Sequence, residues 1–194
     1  MRMPRRICLM FLTFLLVSCE RRASVPTIAD ARQQSEPSER SWGIHTFVSH
    51  VPQESDESLL RMEIIADYMA RYELPDSSYQ LLAGYPPGAG NRVRVLLYDE
   101  RGDSSATVTA DRVLYFDQDN YFEAHGEVVV ETREARHLET EALRWRAEDR
   151  EVETQSFVVI TTPEEQVQGY GLVADEDLST YRIGRFTARV SVED

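Results

Sequence analysis

The chain has 194 residues, with 34 acidic side chains against 21 basic ones and a formal net charge of −13. Such an acidic protein is a poor partner for nucleic acid, because contacts to phosphate require a basic face. The length suits one domain with a tail, and it is enough to bury a stable core without disulfide bonds or structural metals.

The first 18 residues have the pattern of a secretory signal peptide. Three arginines give a positive start, an apolar run follows from Ile7 to Val17, and the small Ser18 precedes Cys19. This run is much shorter than the roughly 20 apolar residues that a spanning helix needs. We therefore expect residues 1–18 to be removed as a signal peptide.

The four residues 16–19, Leu-Val-Ser-Cys, resemble the lipobox of bacterial lipoproteins. In that motif the cysteine sulfur receives the lipid, so we predict that Cys19 is the lipidated first residue of the mature protein. The alternative is an ordinary signal peptide with a chance cysteine. The other cysteine, Cys8, lies in the signal itself, which excludes a disulfide or a thiol enzyme in the mature fold.

Residues 19–44 read as a lipidated flexible tether, because residues 20–44 are poor in apolar groups and rich in Arg, Ser, Gln, Glu and Pro. We place the folded domain at residues 45–194. A tether of about 25 residues would reach about 80 Å when fully extended.

From there the sequence is typical of strands. Val93, Val95 and Leu97 alternate with other side chains, and β-branched runs occur at 127–132 and 157–162. Turn signals recur about every 8–12 residues, which predicts an all-β domain of consecutive antiparallel strands. Residues 60–72 fit a strand by alternation, but their i, i+4 stripe also fits a helix. Two glycines at 169 and 171 lie inside a strand pattern and predict a bulge or a close backbone approach.

No pattern in the chain indicates catalysis. None of the four histidines has a metal-like spacing with another ligand, and no nucleophile elbow, phosphate loop or zinc-protease motif is present. Paired carboxylates could in principle cleave glycans, but with 34 acidic residues any pair is expected by chance. We therefore expect a protein that is not an enzyme, with no metal and no cofactor.

A phrase recurs along the chain, in which a polar-to-apolar strand and an acidic turn precede a valine-rich strand. Five short phrases of the sequence, in order along the chain, resemble the LptC family, periplasmic components of the lipopolysaccharide export bridge. They are Tyr98-Asp99-Glu100-Arg101-Gly102, Thr109-Ala110-Asp111, Gly126-Glu127-Val128-Val129-Val130, Leu138-Glu139-Thr140-Glu141-Ala142-Leu143-Arg144-Trp145 and Gly169-Tyr170-Gly171-Leu172-Val173-Ala174-Asp175. The resemblance covers roughly residues 59–190.

The resemblance implies a fold and a cargo. The fold is an open, twisted β-jellyroll of consecutive antiparallel strands, whose two facing sheets enclose an apolar trough, and residues 60–72 become strand, turn, strand. The trough would carry lipopolysaccharide. Alternation alone does not identify the trough lining, and our candidates are Val128, Val130, Leu143, Trp145 and Val158.

The resemblance also implies partners. Family members take lipopolysaccharide from an inner-membrane ABC permease complex and pass it to a periplasmic bridge protein of the same fold, by pairing of sheet edges. This chain departs from many members in having a lipobox instead of a retained membrane helix. We expect it on the periplasmic side of the envelope, held at the inner membrane by the lipid on Cys19. The alternative is an envelope-assembly lipoprotein of the same fold that pairs strands but carries no lipid.

Overall fold

The computed structural model describes residues 36–51, 58–75 and 77–191, and for residues 188–191 the backbone alone. Over these ranges the protein consists of antiparallel strands, and no helix occurs among the described residues. The all-β prediction is confirmed. The strands are β1 (Glu39–His50), β2 (Leu59–Leu74), β3 (Ser77–Ala83), β4 (Val93–Tyr98), β5 (Ser104–Ala110), β6 (Arg112–Phe116), β7 (Tyr121–Thr132), β8 (His137–Arg146), β9 (Glu151–Thr161), β10 (Glu165–Asp175) and β11 (Tyr181–Ser191).

The strands form one branched sheet with two ends. Its order is β11-β10-β9-β8-β7-β5-β4-β2-β3-β6, and β1 flanks β2. Since β6 also pairs with β7, the long strands β2 and β7 are joined by two routes, one through β4 and β5 and the other through β3 and β6. We call the part around β4 and β5 the first half-sheet and the part around β3 and β6 the second.

The two half-sheets face each other. The guanidinium of Arg61, in β2, lies 5.3 Å from the ring centroid of Trp145, in β8. These strands are four places apart in the sheet, which would separate them by about 19 Å in a flat sheet. The sheet must therefore fold over on itself, which is the jellyroll that the resemblance implies.

The sheet bends over on itself where the long strands cross from one half-sheet to the other. Within a strand, inward-facing residues are normally two apart, but here Ala66 is followed inward by Met69, and Thr140 by Leu143. The pairing register of β7 with β8 and of β8 with β9 shifts at the same level, where Gly126 has a φ of 81°. We call this row of irregularities the bend line.

The glycines of β10 lie on the same line and behave as predicted. The register of β10 with β11 shifts between Gln168 and Gly169, and Gly171 has a φ of 74°. A Cβ atom at position 169 would overlap the carbonyl oxygen of Arg185. Both the expected bulge and the expected close approach are present.

Apolar side chains fill the space between the half-sheets, which we call the interior. Strand β4 shows the reason, because Val93, Val95 and Leu97 are fully buried while Arg94 between them is exposed. The largest fully buried side chains include Trp145, Phe122, Met62, Ile64, Leu138 and Ile160. The alternation read from the sequence thus becomes one continuous core.

Two predictions about the chain's course are corrected. The domain boundary placed between residues 44 and 45 falls inside β1, which begins at Glu39 because it pairs with β2 from Arg71 backwards. The strand, turn, strand expected at residues 60–72 is instead one strand from Leu59 to Leu74, held by pairing with β1, β3 and β4. The predicted signal peptide and Cys19 lie outside the described residues.

Candidate functional site

The side of the fold opposite the bend line is formed by turns. The turns at 99–103 and 133–136 belong to the first half-sheet, and those at 117–120, 147–150 and 176–180 belong to the second. Opposing turns contact each other. Arg136 Nη1 donates to the carbonyl oxygen of Asp177 at 3.1 Å, and Arg150 Nη1 lies 3.4 Å from Glu100 Oε1. We call this side the mouth, because it is where the two half-sheets could separate.

One buried carboxylate, Glu176, links the two half-sheets at the mouth. Its Oε2 lies 2.9 Å from Arg61 Nη2, on the first half-sheet, and its Oε1 accepts from Ser105 Oγ at 3.2 Å. From the second half-sheet, Trp145 Nε1 donates to Oε2 at 3.1 Å and Arg150 Nη2 to Oε1 at 2.6 Å. We call these five residues the mouth latch.

The mouth latch compensates the negative charge of Glu176, which would otherwise be costly to bury. The side chain of Glu176 is 3% exposed, and that of Arg61 is 11% exposed. Removing an ion from water costs several kcal/mol unless opposite charges and hydrogen bonds compensate. Two guanidinium groups and two neutral donors supply that compensation, so the latch is stable only while both half-sheets are closed on it.

Beside the latch lies a cavity of about 900 Å³. It lies between the ends of β1 and β2 on one side and the turns at 117–120 and 147–150 on the other. Much of its wall is apolar, formed by Val48, Leu59, Leu60, Met62, Trp145 and Ala147. The rest of the lining is polar or charged: Ser49, His50, Arg61, Asp99, Glu100, Tyr115, Asp119, Asn120, Glu148 and Arg150. An amphiphile could place its apolar part against this wall and keep its polar part at the charged groups.

All five candidate trough residues lie inside the fold. Val128, Val130 and Val158 are 0% exposed, Trp145 is 1% exposed and Leu143 is 2% exposed. Of the five, Trp145 is the one that borders the large cavity. The others belong to the packed core, although Val128 also lines a second cavity, of about 600 Å³, with Arg92 and Phe157. A ligand would reach Val130, Leu143 and Val158 only if the half-sheets moved apart.

The structure also shows functional candidates that sequence reasoning missed. Nothing in the local sequence separates Arg61 or Glu176 from the many charged residues that face solvent, because their burial arises from a contact between positions 115 apart. The flanking residues give no signal either, because Arg94 also lies between two apolar residues, Val93 and Val95, and is exposed.

Neither a metal site nor a membrane-spanning helix occurs in the described part of the chain. Among residues 36–51, 58–75 and 77–191, no group of three or more His, Cys, Asp or Glu side chains is arranged to hold a metal ion. Within the same ranges, no helix has the length and apolarity needed to cross a membrane.

A family model described as lipopolysaccharide-assembly, LptC-related, matches residues 7–184, which is nearly the whole chain. No curated protein matches the sequence significantly.

Proposed function

Since this chain belongs to the LptC-related family of lipopolysaccharide-assembly proteins, which gives it a role in lipopolysaccharide transport, we propose that it is a lipid-anchored link of the periplasmic export bridge. It receives lipopolysaccharide from the inner-membrane ABC transporter and passes it to a bridge protein of the same fold. The step is transfer without catalysis, and the transporter supplies the energy.

The mouth and its cavity carry this proposal. The cavity opens between the half-sheets and is lined by charged groups and by Trp145, which belongs to a predominantly apolar core. Each acyl methylene that leaves water contributes about 0.8 kcal/mol, so acyl chains can pack against the core side chains that separation of the half-sheets would expose. Lipid would enter sideways through the mouth, with the bend line as the hinge.

The ends of the sheet are the proposed contacts for partners. Strands β1 and β11 each pair with a neighbour on one side only among the described strands. An unpaired edge offers a row of N–H and C=O groups that a strand of another protein can join. We assign β1 to the permease, since the N-terminal edge is nearest the membrane anchor, and β11 to the bridge protein.

The anchor is the lipid on Cys19, which holds the protein on the periplasmic side of the inner membrane. Two or three acyl chains bind a protein to a bilayer almost permanently. Metabolic labelling with a fatty acid checks this, and Cys19→Ser should abolish the label. A wild-type protein that takes up no label would disprove the anchor without touching the proposed transport role.

Site-specific photo-crosslinking during transport tests the lipid path. A photoreactive residue at Val130, which points into the interior, should yield an adduct with lipopolysaccharide. The neighbouring Glu131 is exposed on the other face of β7 and serves as the matched control. A second pair is Trp145 with the half-exposed Arg144. Adducts from neither inward position, or equal adducts from both faces, would disprove an interior path.

A second function is favoured by one observation, the complete burial of Val128, Val130 and Val158. A packed interior needs no lipid, so the protein could assemble partners through its edges alone. Depletion distinguishes the two functions. If the protein is a carrier, its depletion leaves lipopolysaccharide at the inner membrane, and crosslinking in the undepleted cell detects lipid in the interior. A protein that only assembles partners gives no such crosslink.

A further inference from the structure

Three aromatic side chains form a cluster on the surface near the N-terminal edge. Trp42, in β1, has its ring centroid 5.6 Å from that of Tyr68, in β2, and 6.4 Å from that of Tyr85, in the loop after β3. The rings of Tyr68 and Tyr85 are 6.1 Å apart. Trp42 is 58% exposed and Tyr85 is 48% exposed, so two of the largest side chains of the protein face solvent together.

The loop that carries Tyr85 is held in place at its base. The carboxylate of Asp67 accepts from the amide of Tyr85 at 3.0 Å and from the side-chain amide of Asn91 at 2.7 Å. The same Asn91 amide also donates to the carbonyl oxygen of Tyr85 at 3.2 Å. The backbone that carries the Tyr85 ring therefore keeps its position, and contact with a partner costs little ordering entropy.

The composition of this loop is unlike that of the rest of the surface. Residues 84–90, Gly-Tyr-Pro-Pro-Gly-Ala-Gly, carry no charge, and all but the first are exposed. Charged residues make up 28% of the whole chain, whose net charge of −13 would be repelled by an anionic bilayer. An exposed Trp ring beside an uncharged loop of Tyr, Pro and Gly is the kind of surface that lies at a membrane–water interface, where amphipathic rings are enriched.

The position of the cluster fits the same occupant. Trp42 lies in β1, the first described strand, and 22 residues separate it from Cys19. The predicted tether, which would end where β1 begins at Glu39, would have an end-to-end distance of about 25 Å when relaxed, so a lipid on Cys19 would keep Trp42 close to the bilayer.

We propose that the aromatic cluster of Trp42, Tyr68 and Tyr85 rests on the bilayer interface and orients the domain on its membrane. The proposal depends on the proposed anchor, because the lipid supplies the local concentration and the cluster supplies the orientation. In this orientation β1 is on the membrane side, and β11 is at the other end of the strand order.

The tryptophan content of the chain permits a direct test. There are two tryptophans, and Trp145 is buried at 1% exposure while Trp42 is exposed. The full-length lipidated protein is reconstituted on vesicles of phosphatidylethanolamine and phosphatidylglycerol, with and without bromine in the acyl chains. Bromine should quench about half or more of the Trp42 emission, as expected for a ring at the interface. In Trp42→Phe, the remaining Trp145 emission should be unquenched.

Two charge substitutions complete the design. Ala89→Asp places a charge at the exposed tip of the loop and should reduce the quenching several-fold. Thr187→Asp places the same charge beside the exposed Phe186 of β11 and should leave the quenching unchanged. The emission of buried Trp145 reports that both variants are folded.

The outcomes separate this proposal from the proposed anchor. Co-sedimentation with vesicles but no quenching of Trp42, or equal quenching with Trp42→Phe, would overturn the bilayer contact and leave the anchor standing. Unchanged quenching in Ala89→Asp would also overturn it, as would a Trp42 contact with a protein partner in place of lipid. Failure of the unaltered protein to co-sediment would overturn the anchor and the bilayer contact together.

Discussion

Arg61 and Glu176 form an ion pair across the mouth of the fold, with Arg61 Nη2 at 2.9 Å from Glu176 Oε2. The first residue belongs to the first half-sheet, and the second begins the turn that follows β10 in the second. A residue pair that joins the half-sheets at their open side must break, or move as a unit, whenever the interior admits a ligand. The ion pair therefore couples the stability of the closed form to the proposed lateral opening.

The first prediction concerns the carboxylate of this pair. Glu176→Gln removes the charge that compensates Arg61 and Arg150, so it should lower the free energy of unfolding by about 3–5 kcal/mol. Urea unfolding monitored by circular dichroism measures the change. The matched control is Glu100→Gln, since the Glu100 side chain is 84% exposed and pairs with the same Arg150. Its effect should stay within about 0.5 kcal/mol, and equal effects of the two changes would contradict the buried latch.

The second prediction separates the two roles of Trp145. Its ring stacks on Phe122 at 5.4 Å, and its Nε1 donates to Glu176. Trp145→Phe keeps an aromatic ring but leaves Glu176 short of one donor, which should cost about 1–3 kcal/mol. Trp145→Ala also empties the site and should cost about 3–5 kcal/mol. Thermal unfolding of both variants checks the order, and a Phe variant as unstable as the Ala variant would show that the hydrogen bond matters more than packing.

The third prediction concerns the bend line at the C-terminal edge. In Gly169→Ala, the new methyl group would overlap the carbonyl oxygen of Arg185 and would lie 2.5 Å from Ile183 Cγ2. We expect a loss of about 1–3 kcal/mol and faster amide exchange in β11. Gly184→Ala is the control from the same strand pair, because its nearest neighbour, the carbonyl oxygen of Tyr170, would be 3.4 Å away. If both variants exchange alike, the close approach at position 169 is not what holds β11.

The fourth prediction concerns pH. Hydrogen bonds from the Tyr85 amide and then from the Asn91 side chain hold the pKa of Asp67 below its ordinary value. A carboxyl group whose pKa is depressed by folding stabilises the fold fully above its unfolded pKa of about 4, and the contribution is lost as the pH falls through the folded pKa.

Comparison of the protein with Asp67→Asn measures this effect. The difference in free energy of unfolding should be constant near neutral pH and should shrink as the pH falls below about 4. Protection of the Tyr85 amide, measured as its exchange rate relative to the intrinsic rate at each pH, should fall over the same range in the unaltered protein, because the loop loses its charged acceptor. A difference that does not change with pH would show that the charge of Asp67 contributes nothing.

Much of the fold is predictable from local patterns. Alternation at Val93, Val95 and Leu97 assigns both a strand and its inward face, because side chains of a strand point to opposite faces by geometry alone. The five candidate residues from Val128 to Val158 are all buried, but alternation alone does not identify a trough lining, and their contact with lipid stays a prediction. The ordered phrases also identified the family, which the family model confirms over residues 7–184.

Where pairing with distant strands decides the outcome, the local pattern was misleading. Residues 39–44 look like tether, yet they are the first half of β1, since backbone pairing with β2 requires no apolar side chains. Residues 60–72 look ambiguous, yet they form an uninterrupted strand because three different strands supply their hydrogen-bond partners. In both cases the missing information was the position of a partner strand.

The sequence by itself determined that this protein is an all-β member of the LptC-related family, because alternation and short motifs are local properties. Only the tertiary structure decided that Arg61 and Glu176 meet at the mouth, and that Trp42, Tyr68 and Tyr85 form one surface cluster. In a chain rich in charged residues, no local pattern distinguishes a buried charge from an exposed one. Burial depends on what the folding of the sheet places opposite each side chain, and residues 115 positions apart are brought together only by that folding.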